Sequence, residues 1–305
     1  MVSVVFDRSF SVHLGEFFSS TAPLSCGVPQ GSILGPMLFS LYLLPLGNIF
    51  RKHNIPFHCY ADDVQIYLPV KTNDNTSFLS LFNCLRDLKR WLNQNFLCLN
   101  ENKTEIIVFG RPGDLSGCVD GLGNLGWYVR PFIRNLGVIF DSDLKFEKQI
   151  SSVVKASFFQ LRLLAKVKPY LPSKAFESAI HAFITTRLDY CNSLYVGLDV
   201  SCIQRLQLVQ NAAARLLTGT KKYEHITPVL ASLHWLPVRY RIVFKVLLFV
   251  YKILNGLAPA YLSELLHVHT PARALRSSNQ VLLDVPRARL KNKGDRAFSV
   301  VAPNL

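Results

Sequence analysis

Apolar residues recur with two different periods along the chain, and the period changes near residue 141. Residues 10–140 combine short apolar runs, typical of strands, with stretches of helical spacing. From residue 145 onward helical spacing dominates, in three successive stripes that end at Pro169, at residue 190 and at Gly219. The pattern therefore predicts an α+β region, with an antiparallel sheet and packed helices, followed by a helical region.

Within the first region the pattern predicts individual elements. Residues 78–92 have helical spacing, 105–109 form a strand and 129–140 form a hairpin, whereas the Gly- and Asp-rich residues 111–126 form a loop. The uncharged residues 33–50 are long enough to raise the question of a membrane span. Because glycine and proline interrupt them, we predict instead a buried helix with Pro36 in its first turn and no membrane association.

Two adjacent carboxylates, Asp62 and Asp63, lie between the apolar runs 58–61 and 64–68. These runs read as two strands, so the acids are predicted at the tip of a tight hairpin. Like charges placed side by side raise each other's pKa unless a cation neutralises them, and hard oxygen ligands suit Mg²⁺ or Mn²⁺. The alternative is an ordinary turn, since Asp is a common turn residue.

Three ordered motifs identify a family resemblance. Residues 27–31 (GVPQG), 60–63 (YADD) and 100–105 (NENKTE) resemble the reverse transcriptase of LINE-type (non-LTR) retrotransposons. Residues 135–141 and 186–192 resemble later parts of the same domain, so the resemblance covers nearly the whole chain. It implies an RNA-directed DNA polymerase, which is a nucleotidyltransferase, with RNA template, DNA primer and deoxynucleoside triphosphates as partners. It also implies part of a polymerase palm followed by a thumb-like helical region.

The resemblance implies a two-metal mechanism with Mg²⁺ or Mn²⁺. In it, Asp62 binds metal and orients the primer end, Asp63 supports that site, and Tyr60 lies beside the terminal base pair. Each role follows from the family motif.

The other two motifs imply contacts to the substrates. Pro29, Gln30 and Gly31 would flank the incoming nucleotide and the template base, and Lys103 would neutralise or protonate the pyrophosphate. A cation near that developing charge is favourable. The alternative for Lys103 is a surface lysine in a turn.

One part of the family pattern does not occur in this chain. The first catalytic aspartate of the family precedes the GVPQG loop in a strand, and Asp7 is the only aspartate at that end of the chain. We expect a domain truncated at both ends that is inactive alone. The alternatives are a catalytically dead, nucleic-acid-binding remnant and an unstable product of a truncated element. Asp141 and Asp143 have D-x-D spacing, but a turn with a helix cap is the favoured interpretation.

Charge supports a division of the chain into three parts. The formal net charge is +14, but residues 1–70 hold 3 Lys/Arg against 4 Asp/Glu, which leaves 31 against 16 in the remainder. We predict a partial palm at 1–143, a helical thumb and extension at 144–266, and a basic, loosely ordered tail at 267–305. Cations that are candidates for a nucleic-acid groove, or alternatively for a solvated surface, are Arg215, Lys221, Lys222, Arg239, Arg241 and Lys245.

The remaining sequence features restrict the class of protein. The seven cysteines form no C-x-x-C pair and their number is odd, so we predict reduced thiols. His267 and His269 have no cysteine partners at zinc-site spacing, so we predict no zinc. No secretory signal is visible, and we expect an intracellular protein, in the nucleus or the cytoplasm. The sequence leaves the oligomeric state open.

Overall fold

The computed structural model describes residues 8–24, 27, 31–70, 75–110, 112–270, 282–288 and 291–305. The chain divides into two compact units. The N-terminal unit comprises Met1–Thr104 and Arg111–Val129, and the C-terminal unit comprises Glu105–Gly110 and Arg130–Leu305. The hairpin predicted near residues 129–140 thus belongs with the helices of the C-terminal unit, whereas the sequence pattern grouped it with the first region.

Three short antiparallel pairs form the strands of the N-terminal unit. A long hairpin contains β1 (Arg8–Phe10), β2 (His13–Leu14), β3 (Phe17–Phe18) and β4 (Ala22–Leu24), in which β1 pairs with β4 and β2 with β3. Later in the chain, β5 (Phe57–Tyr60) pairs with β6 (Asp63–Ile66). Among the described residues each pairing is a separate two-stranded sheet, so the single sheet that we predicted does not form.

The helices of the N-terminal unit follow the sequence prediction only in part. They are α1 (Gly35–Leu43), α2 (Leu46–Lys52), α3 (Asn75–Gln94) and α4 (Pro112–Gly121), with 3₁₀ turns at Glu101–Lys103 and Gly123–Tyr128. Pro36 does lie in the first turn of α1, and α3 matches the predicted helix. The prediction of a buried helix at 33–50 was wrong. A break at Pro45 separates α1 from α2, and Met37 and Leu41 on α1 are exposed.

Helix α4 occupies a segment that we predicted to be a loop. Pro112 stands at its first position, where a missing N–H costs nothing. At its other end, a Cβ on Gly121 would lie only 2.3 Å from the ring of Phe78 in α3, so glycine allows close packing. Gly121 therefore allows two helices to pack closely. The loop that we predicted from the glycine and aspartate content of this segment was wrong.

Helices α2 and α3 pack together through an apolar layer and a polar bridge. Phe50 of α2 and Leu81 and Leu88 of α3 are buried. Beside them, Asp87 accepts hydrogen bonds from Lys52 at 2.7 Å and His53 at 2.9 Å. The bond from Lys52, followed by that from His53, lowers the pKa of Asp87 to about 2. Asp87 is therefore charged at neutral pH and links the two helices.

The C-terminal unit is mainly helical. It begins with a hairpin of β7 (Phe132–Asn135) and β8 (Val138–Asp141) and continues with α5 (Glu147–Val167), α6 (Ser173–Ile180), a π-helical turn (His181–Thr185) and α7 (Thr186–Asp189). Further along are α8 (Val200–Thr218), α9 (Thr227–Ser232), α10 (Val238–Leu254), α11 (Ala260–Ser263), α12 (Lys291–Gly294) and α13 (Phe298–Val301). Additional 3₁₀ turns are Lys168–Tyr170, Asn192–Tyr195 and Ala302–Asn304.

The three predicted helices and the predicted hairpin of this unit are confirmed. Helix α8 ends at Gly219, whose φ of 78° is the left-handed conformation that glycine adopts most easily. The predicted strand at 105–109 was wrong. Among the described residues, Ile106 forms an isolated bridge and accepts a backbone hydrogen bond from Arg130 N at 2.8 Å, but residues 105–109 form no continuous strand.

The larger of two apolar clusters described in the C-terminal unit holds its first part together, and the smaller one joins the end of α10 to Leu266 and Ala302. The larger cluster joins the β7–β8 hairpin to α5, α6, α8, α9 and the start of α10. A buried polar chain crosses it: the amide of Ile139 donates to Gln149 Oε1 at 3.0 Å, and Gln149 Nε2 donates to the hydroxyl of Tyr195 at 3.2 Å. Because buried polar groups need partners, this chain fixes the hairpin on α5.

Residues 291–305, which we predicted to be loosely ordered, contain helices in the structure and contribute to packing. Arg296 donates to three backbone carbonyls, those of Leu144 (2.6 Å), Val196 (3.0 Å) and Leu194 (3.2 Å). Lys293 donates to the carbonyls of Gly110 and Ser142 at 3.1 and 2.9 Å. Two cations that we assigned to a basic tail therefore stabilise the C-terminal unit.

The described part of the chain combines helices with small antiparallel sheets, so the α+β class is confirmed. None of its helices has both the length and the apolar character required to cross a bilayer.

Candidate functional site

The predicted acidic hairpin is present, with its strands shifted by one residue from the prediction. Tyr60 of β5 pairs directly with Asp63 of β6, and Ala61 and Asp62 form the turn between them. Ala61 has a φ of 54°, an uncommon value for a residue with a Cβ. The tight turn therefore places Asp62 at the tip and Asp63 at the first position of the returning strand.

The two faces of this hairpin have different surroundings. Alternation places Tyr60 and Asp63 on one face, and Phe57 on the other. The ring of Phe57 packs against Phe50 of α2, with ring centroids 4.7 Å apart. A Cβ on Gly47 would lie 3.1 Å from Phe57, so glycine at that position permits the close approach. Phe57 thus anchors the base of the hairpin while the acidic tip remains exposed.

The tip offers two exposed carboxylates to a cation. Asp62 and Asp63 are both exposed, and no ion pair joins either to another residue of the described ranges. Mg²⁺ in polymerase sites is commonly held by one or two carboxylates together with substrate phosphates and water, so this donor set suits one such ion. Across the described part of the chain, no three His, Cys, Asp or Glu side chains form a metal-binding group.

The predicted nucleotide-binding loop is described only in part. Pro29 and Gln30 lie outside the described residues. Gly31 has a φ of 82°, and no atom of the described residues lies within 4 Å of the position that a Cβ would occupy. In this structure, backbone conformation rather than a close neighbour accounts for glycine at position 31.

Lys103 lies in an exposed 3₁₀ turn. Asn100 O accepts from Lys103 N at 3.1 Å and from Thr104 Oγ1 at 3.0 Å, which closes the turn. Glu101 accepts from Lys89 Nζ at 2.6 Å, and this bond is the main cause of the lowered pKa of Glu101. Within the described ranges no hydrogen bond or ion pair connects Lys103 with Asp62 or Asp63. The turn is held by its neighbours, and the ammonium group of Lys103 faces solvent.

The second candidate acidic pair has a structural role. The carboxylate of Asp141, which is buried, accepts from the backbone amides of Lys145 (2.8 Å) and Phe146 (2.6 Å), just before α5. Asp143 lies 3.6 Å from Lys293. The turn that we favoured at Asp141 is therefore confirmed, but the helix cap is not, because α5 begins after Phe146 without a side-chain cap.

Two of the cations proposed for a nucleic-acid groove form hydrogen bonds or ion pairs within the C-terminal unit instead. Arg215 donates to Glu224 O at 3.0 Å and closes the loop after α8. Arg241 forms a two-bond ion pair with Asp189, one bond being 2.8 Å. The sequence did not reveal these partners, because both lie at least nine residues away along the chain. Lys221, Lys222 and Arg239 remain exposed.

A cavity of about 280 Å³ lies beside the π-helical turn of the C-terminal unit. His181, Trp235 and Gln210 contribute to its wall. Gln210 already donates to Leu236 O at 2.8 Å, and His181 lies 3.2 Å from Thr185 Oγ1. These contacts engage Gln210 and His181, and the wall also includes Glu177, His234 and Arg241. Sequence reasoning missed this cavity, since a π-helical turn leaves no clear periodic signal.

Comparisons with known proteins agree with the motifs. Residues 8–140 match the family model described as reverse transcriptase (RNA-dependent DNA polymerase). The chain is 24% identical to the RNA-directed DNA polymerase from mobile element jockey of Drosophila melanogaster, in an alignment covering 98% of this chain and 32% of that protein. It is 25% identical to the probable RNA-directed DNA polymerase from transposon BS of the same fly, covering 71% of this chain and 25% of that protein.

The chain spans about a third or less of the length of the curated relatives that it matches. No solved structure is significantly similar to it.

Proposed function

We propose, from the premise that this chain belongs to the reverse transcriptases of LINE-type (non-LTR) retrotransposons, that its N-terminal unit contributes the metal-binding hairpin of an RNA-directed DNA polymerase. The observation that carries the proposal is the hairpin tip, where two exposed carboxylates follow Tyr60 in a tight turn. Its substrates are an RNA template, a DNA primer and deoxynucleoside triphosphates. The N-terminal unit would act as part of the palm, and the helices of the C-terminal unit as a thumb and its extension.

Asp62 and Asp63 would hold one Mg²⁺ or Mn²⁺ ion at the tip. When bound in such a site, the ion supplies Lewis-acid stabilisation of phosphate oxygens. Asp62, in the turn, is the proposed principal ligand, and Asp63, paired with Tyr60, is the supporting one. Because Phe57 anchors the base of the hairpin, the two carboxylates would be held in a fixed orientation toward the primer end.

The other motif residues would position the substrates. The exposed ring of Tyr60 would contact the terminal base pair, and the loop at Gly31, with Pro29 and Gln30, would flank the incoming nucleotide. Lys103 would neutralise the pyrophosphate as it leaves. Its exposure and the absence of an acidic partner among the described residues leave its charge available for this role.

We further propose that the 305-residue chain does not catalyse nucleotide addition alone. Two-metal transfer requires carboxylates from a second strand beside the hairpin. No motif like that of the family's first aspartate precedes Gly27, and β5–β6 pairs with no further strand among the described residues. In the chain by itself, the hairpin would supply one half of the metal site.

A second candidate function is binding of nucleic acid without catalysis. It is favoured by the charge distribution, since residues beyond 70 hold 31 Lys/Arg against 16 Asp/Glu. Such a surplus attracts phosphate chains through release of their counterions. A catalytically dead remnant of a polymerase would retain this property.

Iron-catalysed backbone cleavage tests the metal site directly. Fe²⁺ with ascorbate and peroxide cuts the chain close to where the ion binds, so we expect cuts near residues 57–66 that excess Mg²⁺ suppresses. Replacing both Asp62 and Asp63 with asparagine should reduce these cuts about tenfold or more, because each substitution removes an anionic oxygen ligand.

A matched control carries Glu16→Gln and Asp120→Asn, which remove two exposed carboxylates of the same unit. Its cleavage near 57–66 should equal that of the native chain. Cleavage that is equally strong in the hairpin variant, or absent from this region in the native chain, would refute the proposed metal site.

A further inference from the structure

Helix α10 has apolar side chains on two opposite faces. Its inner face, which includes Val238, Ile242 and Val246, is buried in the C-terminal unit. Its outer face carries five large apolar side chains, each between 42% and 60% exposed, at intervals of three or four residues. They are Tyr240, Phe244, Leu247, Tyr251 and Leu254. A helix that is apolar on all sides is normally buried, so the outer row, which we call the outer stripe, indicates a surface that binds something.

Cations accompany the aromatic residues of the outer stripe. Arg241 follows Tyr240, Lys245 follows Phe244 and Lys252 follows Tyr251. One residue further along a helix is about 100° further round its axis, so the cations form a row parallel to the aromatic row. Helix α10 contains no acidic residue. A row of rings beside a row of positive charges suits a ligand that has flat aromatic groups along one edge and negative charges along the other.

The charges of this surface are partly available. Among the described residues of the C-terminal unit, the ion pairs join Arg241 to Asp189, His181 to Glu177, His269 to Asp284 and Lys293 to Asp143. Arg239, at the start of the helix, and Lys252 are in none of them and are exposed, whereas Lys245, which is also in none of them, is half-buried. A second copy of this chain is disfavoured as the ligand, because the net charge of +14 makes two copies repel.

We infer that the outer stripe of α10 is a stacking platform for a single-stranded nucleic acid. Single-strand binding proteins combine aromatic side chains, on which bases stack, with cations that follow the backbone. Tyr240 and Phe244 are four residues apart, which is about 6 Å along a helix axis. That interval is nearly twice the ~3.4 Å per nucleotide of one strand in a duplex. The spacing therefore fits an extended strand in which successive bases occupy separate rings.

That the ligand is a nucleic acid rests on the proposed function. The outer stripe adds that the bound strand is single and that it binds on α10. The platform would hold unpaired template or product strand on the C-terminal unit. Leu247 and Leu254 would supply apolar contact between the rings, while the exposed cations Arg239 and Lys252 would contact phosphates. The arrangement carries no base-specific contact, so we expect little dependence on sequence.

Fluorescence anisotropy with a labelled 12-nucleotide oligouridylate, which has no secondary structure, tests the platform. EDTA is included so that the measurement is independent of the hairpin metal site. The variant Tyr240→Leu, Phe244→Leu, Tyr251→Leu keeps the stripe apolar and helical but removes its rings. Because the variant removes three rings on which bases can stack, binding should weaken by at least about tenfold, while binding to a 12-base-pair RNA–DNA hybrid changes little.

The matched control removes three exposed aromatic rings of the same unit that lie off the stripe, by Phe159→Leu, Tyr170→Leu and Phe183→Leu. Its affinity for the oligouridylate should equal that of the native chain. In a second pair of variants, Lys252→Gln should reduce the slope of log affinity against log salt concentration by about one. Lys166→Gln on α5 should leave that slope unchanged. Circular dichroism establishes that all variants are folded.

Three results would overturn the inference. One is an oligouridylate affinity within twofold of the native value in the triple leucine variant. Another is an equal loss of affinity for the strand and the hybrid. The third is a native chain that sediments as a dimer and becomes a monomer in that variant, with unchanged affinity for the strand. Loss of metal-dependent cleavage at the hairpin would instead overturn the proposed polymerase site and leave this measurement valid.

Discussion

Replacement of Phe50 by alanine is expected to lower the free energy of unfolding of the N-terminal unit by about 3–5 kcal/mol. Phe50 is fully buried, and its ring contacts that of Phe57, which anchors the acidic hairpin. Removal of the ring leaves a cavity and also frees the base of the hairpin. Urea unfolding measures the first effect. Hydrogen exchange of residues 57–66 measures the second, and exchange there should become faster.

Phe96→Ala is the matched control for this substitution. Phe96 belongs to the same unit but is 97% exposed, so its removal should change the free energy of unfolding by well under 1 kcal/mol. If Phe50→Ala and Phe96→Ala have the same small effect, the described packing of α2 against the hairpin is wrong.

The second large effect is expected from Arg296→Gln in the C-terminal unit. The guanidinium group of Arg296 donates to the carbonyls of Leu144, Leu194 and Val196, and burial lowers its pKa. Glutamine is too short to reach all three acceptors and leaves polar groups without partners. We expect a loss of about 2–4 kcal/mol, measured by urea unfolding.

Arg287→Gln tests whether the effect of Arg296 arises from charge alone. Arg287 is an exposed cation close to Arg296 in sequence, and its substitution changes the net charge by the same amount. Its effect on unfolding should lie within about 0.5 kcal/mol of zero. Equal effects of the two substitutions would contradict the role of Arg296 in holding residues 144, 194 and 196.

Helical periodicity predicted the strongest elements of this fold. Helices α3, α5 and α8 each bury one apolar stripe, and such a stripe is visible in the sequence because its spacing is regular. Periodicity did not predict α4, a glycine-containing helix in which Gly121 allows the ring of Phe78 to pack closely. It also failed at residues 105–109, since an apolar run forms a strand only if a partner strand pairs with it.

The candidate site was predictable to the extent that it is local. Asp62 and Asp63 are adjacent, so a turn signal and two strand signals sufficed to place them together at a hairpin tip. Contacts between distant residues could not be read in this way. Arg296 and Arg241, for example, were assigned to basic surfaces, and their partners lie far away along the chain. The exposure of the outer stripe of α10 could not be read from the sequence either, because apolar positions alone do not show which face of a helix is buried.

Primer extension tests the central claim most directly. The purified 305-residue chain is given an RNA template, a DNA primer and deoxynucleoside triphosphates with Mg²⁺ or Mn²⁺, beside a variant with Asp62→Asn and Asp63→Asn. We predict a folded protein that binds the primer–template hybrid with strong salt dependence but adds no nucleotide. Extension by the native chain that disappears in the variant would contradict this account, because some residue of this chain would then complete the metal site.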